Sequence, residues 1–374
     1  MILQNGEVYT PDHKFVRRSL AIENGRFSAT ASDRTAIDAS GCYVIPGLVD
    51  IHIHGGRGCD FGDATADSLH RIASYEAENG ITAFCPTSMT MPKEDICRSA
   101  AVLKDFREDS GDAAVLGMNM EGPFISPEKK GSQESRNILD PDPEFVRELQ
   151  RISGNRIRLV DFAPERPGAS QFVEELAGTV TLSVAHTNAD YETALSAMKK
   201  GAHHVTHLYN AMTPYQHRAP GVVGAASDDP ECMVELIADG LHNHPSVVRN
   251  TFRRFGPERV VLISDSMEAT GCPDGTYTLG GHEVFVHGKE ARLKDGTIAA
   301  SVSNLMDCLR VCVLQMGIPL EDAVRCASEN PARSIGMFST RGSIEVGKTA
   351  DAVLLRKKDL SVQQVILRGR LLPK

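Results

Sequence analysis

Eight apolar runs recur through the middle of the chain, and segments with a helical pattern separate them. In order, the runs are LVDIHIHG, ITAFCPT, AAVLGMNMEG, IRLVDFAPE, TVTLSVAHTN, HHVTHLYN, CMVELIADGLH and RVVLISDSM. Several of the helical segments end in glycine, as at Asn79-Gly80 and Lys200-Gly201, which is typical of a helix C-terminus. Eight strand–helix units predict an α/β fold of the (β/α)₈ TIM-barrel type. A doubly wound open sheet is the alternative, but it requires no such even count.

Both ends of the chain have short, alternating β patterns instead. SLAIENGRFSAT contains a hairpin signal at Asn24-Gly25, and GSIEVGKTADAVLL and VQQVILRGRLL close the sequence. Because neither end is long enough for a stable sheet of its own, we expect the two ends to form one small β-sandwich domain. The predicted division is 1–48 plus 342–374 for this domain and 49–341 for the barrel, with a β insertion near 276–301.

Composition and charge exclude several classes of protein. The chain has 374 residues, 41% hydrophobic content and a net charge of −9, so nucleic acid and anionic membranes are not expected partners. We find no stretch of the ~20 apolar residues that a membrane span needs, and no signal-peptide pattern at the start. Nine scattered cysteines without a CxxC pair favour reduced thiols and a cytoplasmic location.

Metal-binding and proton-transferring residue types follow six of the eight predicted strands. Because the active site of such a barrel lies at the carboxyl ends of its strands, these side chains should meet on one face. They are His52 and His54 after the first strand, Glu121 after the third, His186 after the fifth, His207 after the sixth, Asp239 and His242 after the seventh, and Asp265 after the eighth. Imidazole and carboxylate groups bind divalent metals and move protons. The sequence therefore predicts a metal-dependent active site.

Each histidine also has a structural interpretation, because a single histidine after a strand is more often structural than a ligand. His52 and His54 alternate on one strand and so project to one face, where they could bind a metal or serve as polar core residues. We interpret the other histidines as structural: His13, His70, His203, His204, His282 and His287.

Several longer motifs resemble one family. PGLVDIHIHGG, EGPFISPEKKGS, AHTNAD, THLYNAM, HRAPGVVGAA, IADGLH and ISDSMEATG are together similar to the N-acetylglucosamine-6-phosphate deacetylases of the amidohydrolase superfamily. The resemblance covers essentially the whole chain. The HxH pair and GSIEVGKTADAVLL identify only the superfamily, whereas EGPF, THLYNAM and RAPGVVGA are more specific to the deacetylases.

The resemblance implies a set of site residues. Glu121, His186 and His207 would bind one metal, His52 and His54 a second, and Glu121 would bridge them, so one or two divalent ions, zinc or iron, are expected per chain. Asp265 would be the catalytic acid and base. Substrate contacts would come from Ser132, Gln133, Asn210, Ala211, Arg218, Asp239, His242, Ser303, Asn304 and Leu305. Gln133 stands where some relatives have a histidine that polarises the acetyl carbonyl, and glutamine cannot supply a proton.

The implied reaction is hydrolysis of N-acetylglucosamine 6-phosphate to glucosamine 6-phosphate and acetate. A small-molecule phosphosugar would be the partner, and a homodimer or homotetramer is expected. Another amide substrate remains an alternative: N-acetylgalactosamine 6-phosphate, a cyclic amide or an N-acyl amino acid. A non-catalytic scaffold is a further alternative, although such a protein should have lost some of the ligands.

Overall fold

A computed structural model describes residues 1–33 and 35–373 of the chain. Its centre is a closed barrel of eight parallel strands, each paired with its neighbour in sequence. The strands are β1 (Leu48–Ile53), β2 (Ile81–Ser88), β3 (Met118–Phe124), β4 (Ile157–Phe162), β5 (Thr181–Val184), β6 (His204–Val205), β7 (Met233–Ile237) and β8 (Val260–Ile263). The barrel closes because the Asp265 N–H donates to His52 O at 3.0 Å and Ile53 bridges to Ser266. The predicted fold class is confirmed.

Ten α-helices are described, and α1 to α8 each follow the strand of the same number. They are α1 (Ala66–Glu78), α2 (Lys93–Asp105), α3 (Pro143–Ser153), α4 (Ala169–Leu176), α5 (Tyr191–Lys199), α6 (Gly221–Asp228), α7 (Pro245–Phe255), α8 (Leu305–Leu314), α9 (Leu320–Ala327) and α10 (Glu329–Ser334). Short 3₁₀ turns occur at Phe61–Asp63, Pro127–Lys129 and Ser135–Asn137. This order is the one that the alternating sequence pattern predicts.

The third helix shows how local sequence sets these boundaries. Asp142 accepts hydrogen bonds from the N–H groups of Glu144 and Phe145 at the start of α3, which satisfies two donors that have no partner within the helix. Pro143 occupies the first helical position, where its missing N–H costs nothing. The helix ends at Gly154, whose φ of +71° is readily adopted by glycine.

The two chain ends form two facing sheets. The larger sheet has the order Arg370–Leu371, Val362–Leu367, Ala352–Arg356, Cys42–Pro46, Glu7–Tyr9 and Phe15–Arg17; the smaller has the order Arg26–Ser28, Leu20–Glu23, Ile2–Gln4 and Ala36–Asp38. Val353 pairs with Ile45 across the two ends. Leu3, Leu20, Val44 and Leu354 belong to one buried apolar cluster that joins the sheets. The predicted sandwich of both ends is therefore confirmed, whereas the domain boundaries stay a prediction.

Further short strands flank the barrel strands. Ala114–Val115 pairs with β2 ahead of β3, and Gly55–Gly56 pairs with Cys59–Asp60 after β1. Between β8 and α8, a three-stranded antiparallel sheet comprises Gly275–Leu279, His282–His287 and Glu290–Arg292. Its buried Leu279 shares an apolar cluster with Met89, which follows β2. This sheet therefore packs beside the carboxyl ends of the strands.

Within residues 1–33 and 35–373, none of the helices combines the length and apolar character that a bilayer crossing requires.

Candidate active site

Four imidazoles surround the Glu121 carboxylate at the carboxyl ends of the barrel strands. Oε1 of Glu121 lies 3.0 Å from His186 Nε2, 3.1 Å from His207 Nε2 and 3.5 Å from His52 Nε2. Its second oxygen, Oε2, lies 3.4 Å from His54 Nε2. All five side chains are at least nine-tenths buried. The structure thus brings together, around one carboxylate, five residues predicted from strands far apart in sequence.

The outer nitrogens of three of these imidazoles are held by acceptors. The Nδ1 atom of His52 lies 3.0 Å from Glu235 Oε2. The Nδ1 atom of His54 lies 3.1 Å from the carbonyl oxygen of Thr87, and the Nδ1 atom of His186 lies 2.9 Å from the carbonyl oxygen of Lys129. Because a carbonyl or carboxylate only accepts, each neutral ring carries its proton on Nδ1. Each Nε2 then presents a lone pair towards Glu121, which is the arrangement of a metal-binding histidine.

The donor set fits divalent metal ions. His186 Nε2 and His207 Nε2 lie 3.1 Å apart, and each lies about as far from Glu121 Oε1. Donors about 2.0–2.1 Å from a tetrahedral metal are separated from one another by roughly 3.3 Å, close to these distances. Besides the group Glu121–His186–His207, a second group of candidate ligands consists of His52, His54 and Asp265. The buried His52 Nε2 makes no hydrogen bond among the described residues.

Among the proposed metal ligands and Asp265, three residues have left-handed backbone conformations. The φ angles are +42° at His186, +28° at His207 and +52° at Asp265. For residues other than glycine this region is sparsely populated and costs on the order of 1–3 kcal/mol each, and such residues cluster at functional sites. The side chains of His186, His207 and Asp265 therefore do not follow the alternation of the strands that precede them.

Asp265 faces the second group of ligands. Its Oδ1 lies 3.2 Å from His54 Nε2 and 3.6 Å from His52 Nε2. Burial raises the pKa of the Asp265 carboxyl. When His54 and His52 are protonated on both nitrogens, the hydrogen bond from His54 and the positive charge of the two rings outweigh that effect and leave the pKa of Asp265 below the ordinary value. The carboxylate form is therefore the stable one.

A cavity of about 260 Å³ opens above this centre. Its lining includes five of the predicted substrate residues: Ser132, Gln133, Asn210, Ala211 and His242. The remaining lining outside the proposed ligands and Asp265 was not predicted from the sequence: Met89, Gly131, Leu279, Thr297, Ile298 and Ala300. Four of these, Leu279, Thr297, Ile298 and Ala300, lie in the inserted sheet or in the segment that follows it, where no strand-end signal marks them.

The structure does not bring the other predicted substrate residues, Arg218, Asp239, Ser303, Asn304 and Leu305, into that lining. Asp239 lies behind His242, with Oδ2 2.8 Å from His242 Nδ1. Asn304 caps α8 by accepting from the Asp307 N–H, and Ser303 and Leu305 are buried beside it. Arg218 is exposed, and its guanidinium donates to His217 Nε2 at 2.7 Å.

Gln133 is held between two polar partners. Its Nε2 donates to Glu121 Oε2 at 2.6 Å, and its Oε1 accepts from the Thr90 N–H at 2.7 Å. Since a backbone N–H can only donate, the amide cannot reverse without losing both bonds. Gln133 thus orients the central carboxylate as well as lining the cavity.

The sequence also missed Glu235, a carboxylate in the middle of β7 that contacts His52. A single charged residue within the apolar run MVELI was the one available signal.

Two of the histidines interpreted as structural have ordinary hydrogen-bonding partners. His203 pairs with Asp229 at 2.7 Å, and the buried His204 bonds Ser183 Oγ at 3.0 Å.

Comparisons with known proteins agree with this geometry. The Amidohydrolase family matches residues 43–372. N-acetylglucosamine-6-phosphate deacetylase from Bacillus subtilis (strain 168) is 34% identical, covering 99% of this chain and 96% of that protein. N-acetylgalactosamine-6-phosphate deacetylase from Escherichia coli O157:H7 is 35% identical, covering 87% and 86%.

A solved structure also resembles this chain closely. It is a variant of N-acetyl-D-glucosamine-6-phosphate deacetylase from Mycobacterium smegmatis in complex with N-acetyl-D-glucosamine-6-phosphate. The TM-score is 0.93 with 33% identity, covering 100% of this chain and 99% of that one.

Proposed function

Because this chain belongs to the amidohydrolase family, a family of metal-dependent hydrolases, we propose that it hydrolyses N-acetylglucosamine 6-phosphate to glucosamine 6-phosphate and acetate. The observation that carries the proposal is the convergence of four imidazole Nε2 atoms on Glu121 beneath one cavity, with the Asp265 carboxylate beside His54. The full-length similarity to deacetylases supports the choice of an acetamide substrate.

The proposed metal complement is one or two divalent ions per chain, zinc or iron. Glu121, His186 and His207 would hold one ion, and His52 and His54 would hold the second with Glu121 between them. A bound divalent ion lowers the pKa of water and stabilises negative charge that develops on an oxygen. The Glu121 oxygens lie 3.0–3.1 Å from His186 and His207 and 3.4–3.5 Å from His52 and His54. Both sets of distances are close to the roughly 3.3 Å expected of donors that share a tetrahedral ion, which supports both sites.

Asp265 is proposed as the acid and base of the reaction. Its carboxylate is favoured by the nearby imidazoles, so it can accept a proton from the attacking water. The same group can then deliver that proton to the leaving amine. Its position at the cavity floor, beside the second group of ligands, supports this role.

The sugar and its phosphate need separate contacts. Ser132, Asn210 and His242 line the cavity and offer hydrogen-bonding groups for the sugar. The cavity lining within the described residues contains no lysine or arginine, so the proposed phosphate contact, Arg218, must reach the ligand from the exposed loop before α6. Family resemblance supports Arg218, and its guanidinium suits a phosphate.

N-acetylgalactosamine 6-phosphate is the second candidate substrate, since a relative of similar identity is named for it. The two sugars differ only at C4, which is remote from the amide.

We also propose a cytoplasmic homodimer or homotetramer. The nine cysteines are all free thiols and seven of them are buried, which is compatible with a reducing compartment.

An acetate-release assay on three substrates tests the proposed function. The metal-loaded chain should release acetate from N-acetylglucosamine 6-phosphate faster than from the galactosamine epimer, and far faster than from unphosphorylated N-acetylglucosamine. A preference for the epimer would move the assignment to the second candidate. No acetate from any of the three would overturn the proposal.

A further inference from the structure

Glu235 is a fully buried carboxylate in the middle of an apolar strand. Its neighbours in β7 are Met233, Val234, Leu236 and Ile237, and its own exposure is 0%. A buried carboxylate is costly unless hydrogen bonds or charges compensate it. The contacts of Glu235 therefore indicate what the side chain does.

One oxygen of Glu235 contacts both proposed metal groups. Oε2 lies 3.0 Å from His52 Nδ1, and it accepts from the backbone N–H of His207 at 3.2 Å. His52 belongs to the group with His54 and Asp265, and His207 belongs to the group with Glu121 and His186. The backbone of His207, which donates this hydrogen bond, is in the left-handed region, with φ of +28°.

The bond to His52 has a direct consequence for its ring. With the proton on Nδ1, facing the carboxylate, Nε2 keeps its lone pair. That atom lies 3.5 Å from Glu121 Oε1 and 3.6 Å from Asp265 Oδ1 and makes no hydrogen bond among the described residues. A carboxylate behind a histidine also makes the ring a stronger metal donor, and removing such a partner typically costs 10- to 100-fold in metal affinity.

We propose that Glu235 is a positioning residue that fixes the His52 ring and thereby determines how tightly His52 and His54 hold the second divalent ion. This inference rests on the two-metal site of the proposed function. It adds that the second ion depends on a residue that contacts neither the cavity nor the ion. His54 and His186 have backbone carbonyls in the corresponding place, so a charged partner distinguishes His52.

Titration of the metal-free full-length chain with Co²⁺ tests this directly, with the d–d absorption bands and metal content after dialysis as readouts. The parent should bind two ions: one at Glu121, His186 and His207, which is the first class, and one at His52 and His54, which is the second class. Glu235→Gln keeps an oxygen that can accept from both donors but removes the charge. We expect it to weaken the second class by about 10- to 100-fold and to leave the first within about threefold.

Asp161→Asn is the matched control. Asp161 lies on β4, is also fully buried, and takes its hydrogen bond from Thr206 Oγ1 at 2.9 Å instead of from an imidazole. This variant should bind both ions as the parent does.

If Glu235→Gln does not fold, as judged by circular dichroism, Glu235→Asp provides a second test of the contact with His52. Aspartate keeps the charge but retracts the carboxylate by one methylene.

Wild-type affinity of the Glu235 variant for both ions would overturn the inference, as would an equal loss in both classes. A parent chain that binds one ion would overturn it together with the two-metal site. Acetate release is measured separately on the parent, so a chain that binds two ions but releases no acetate contradicts the proposed reaction and not the role of Glu235.

Discussion

The ligand histidines show what single residues reveal before a structure is known. Strand-end positions and residue chemistry are sufficient to place His52, His54, Glu121, His186 and His207 on one face, because barrel topology brings strand ends together. The hydrogen bonds behind them could not be predicted, since they join residues such as His52 and Glu235 that are 183 positions apart. Likewise, the role of Gln133 depends on a backbone N–H at Thr90.

Replacing the proposed acid and base should separate chemistry from folding. Asp265→Asn is nearly isosteric but cannot take the water proton, so we expect turnover to fall by about 10²- to 10⁴-fold. Steady-state acetate release measures turnover, while unfolding temperature and metal content serve as controls and should be nearly unchanged. Turnover within about twofold of the parent would remove Asp265 from the mechanism.

The HxH pair should control the number of bound ions. Changing His52 and His54 together to glutamine removes two Nε2 donors that face Glu121. Metal content should fall towards one ion per chain, with some activity retained by the Glu121–His186–His207 group. The prediction fails if the carefully loaded parent holds one ion and anomalous scattering shows no ion near these imidazoles.

At the scale of elements, the count and order of strands and helices follow from the alternating pattern. The end of β3 is an example of what the pattern does not give. Gly122 follows the Glu121 ligand with φ of +82°, and a Cβ there would lie 2.1 Å from Thr90 Oγ1. The glycine of the EGPF motif is therefore required sterically, because a larger side chain would clash with Thr90. This contact exists only because β2 and β3 lie side by side.

This contact predicts an unequal effect of two alanine substitutions. Gly122→Ala should lower the free energy of unfolding by roughly 1–3 kcal/mol from backbone strain alone, with a further loss from the clash with Thr90. Gly41→Ala, at φ of +75° with nothing within 4 Å of its Cβ, is the control for strain. Denaturant unfolding should show the larger loss for Gly122→Ala; equal losses would mean that the clash relaxes without cost.

The connection from β6 to α6 carries the proposed phosphate contact. Arg218→Ala should lower kcat/KM on N-acetylglucosamine 6-phosphate by roughly 10²-fold, because a charge-assisted hydrogen bond of about 1.5–3 kcal/mol and the alignment of the amide are lost together. The already poor rate on unphosphorylated N-acetylglucosamine should barely change. Parallel losses on both substrates would show that Arg218 does not bind the phosphate.

At the scale of the whole molecule, the sequence predicts a barrel with a sandwich of both chain ends, and the structure has both. The lining of the cavity is less predictable, since Leu279, Thr297 and Ile298 reach it from the inserted sheet and the segment that follows it. Leu279 is placed there by packing in one apolar cluster with Met89 and Met267, and not by any local pattern.

In the proposed function, the metal ions at the barrel mouth make the chain a deacetylase. The most direct measurement is acetate release from N-acetylglucosamine 6-phosphate by the same preparation after metal removal and after stepwise return of Zn²⁺ or Fe²⁺, with bound metal counted at each step. We expect almost no acetate from the metal-free chain and activity that rises in proportion to bound metal. Undiminished acetate release by a folded chain shown to contain no metal would contradict it.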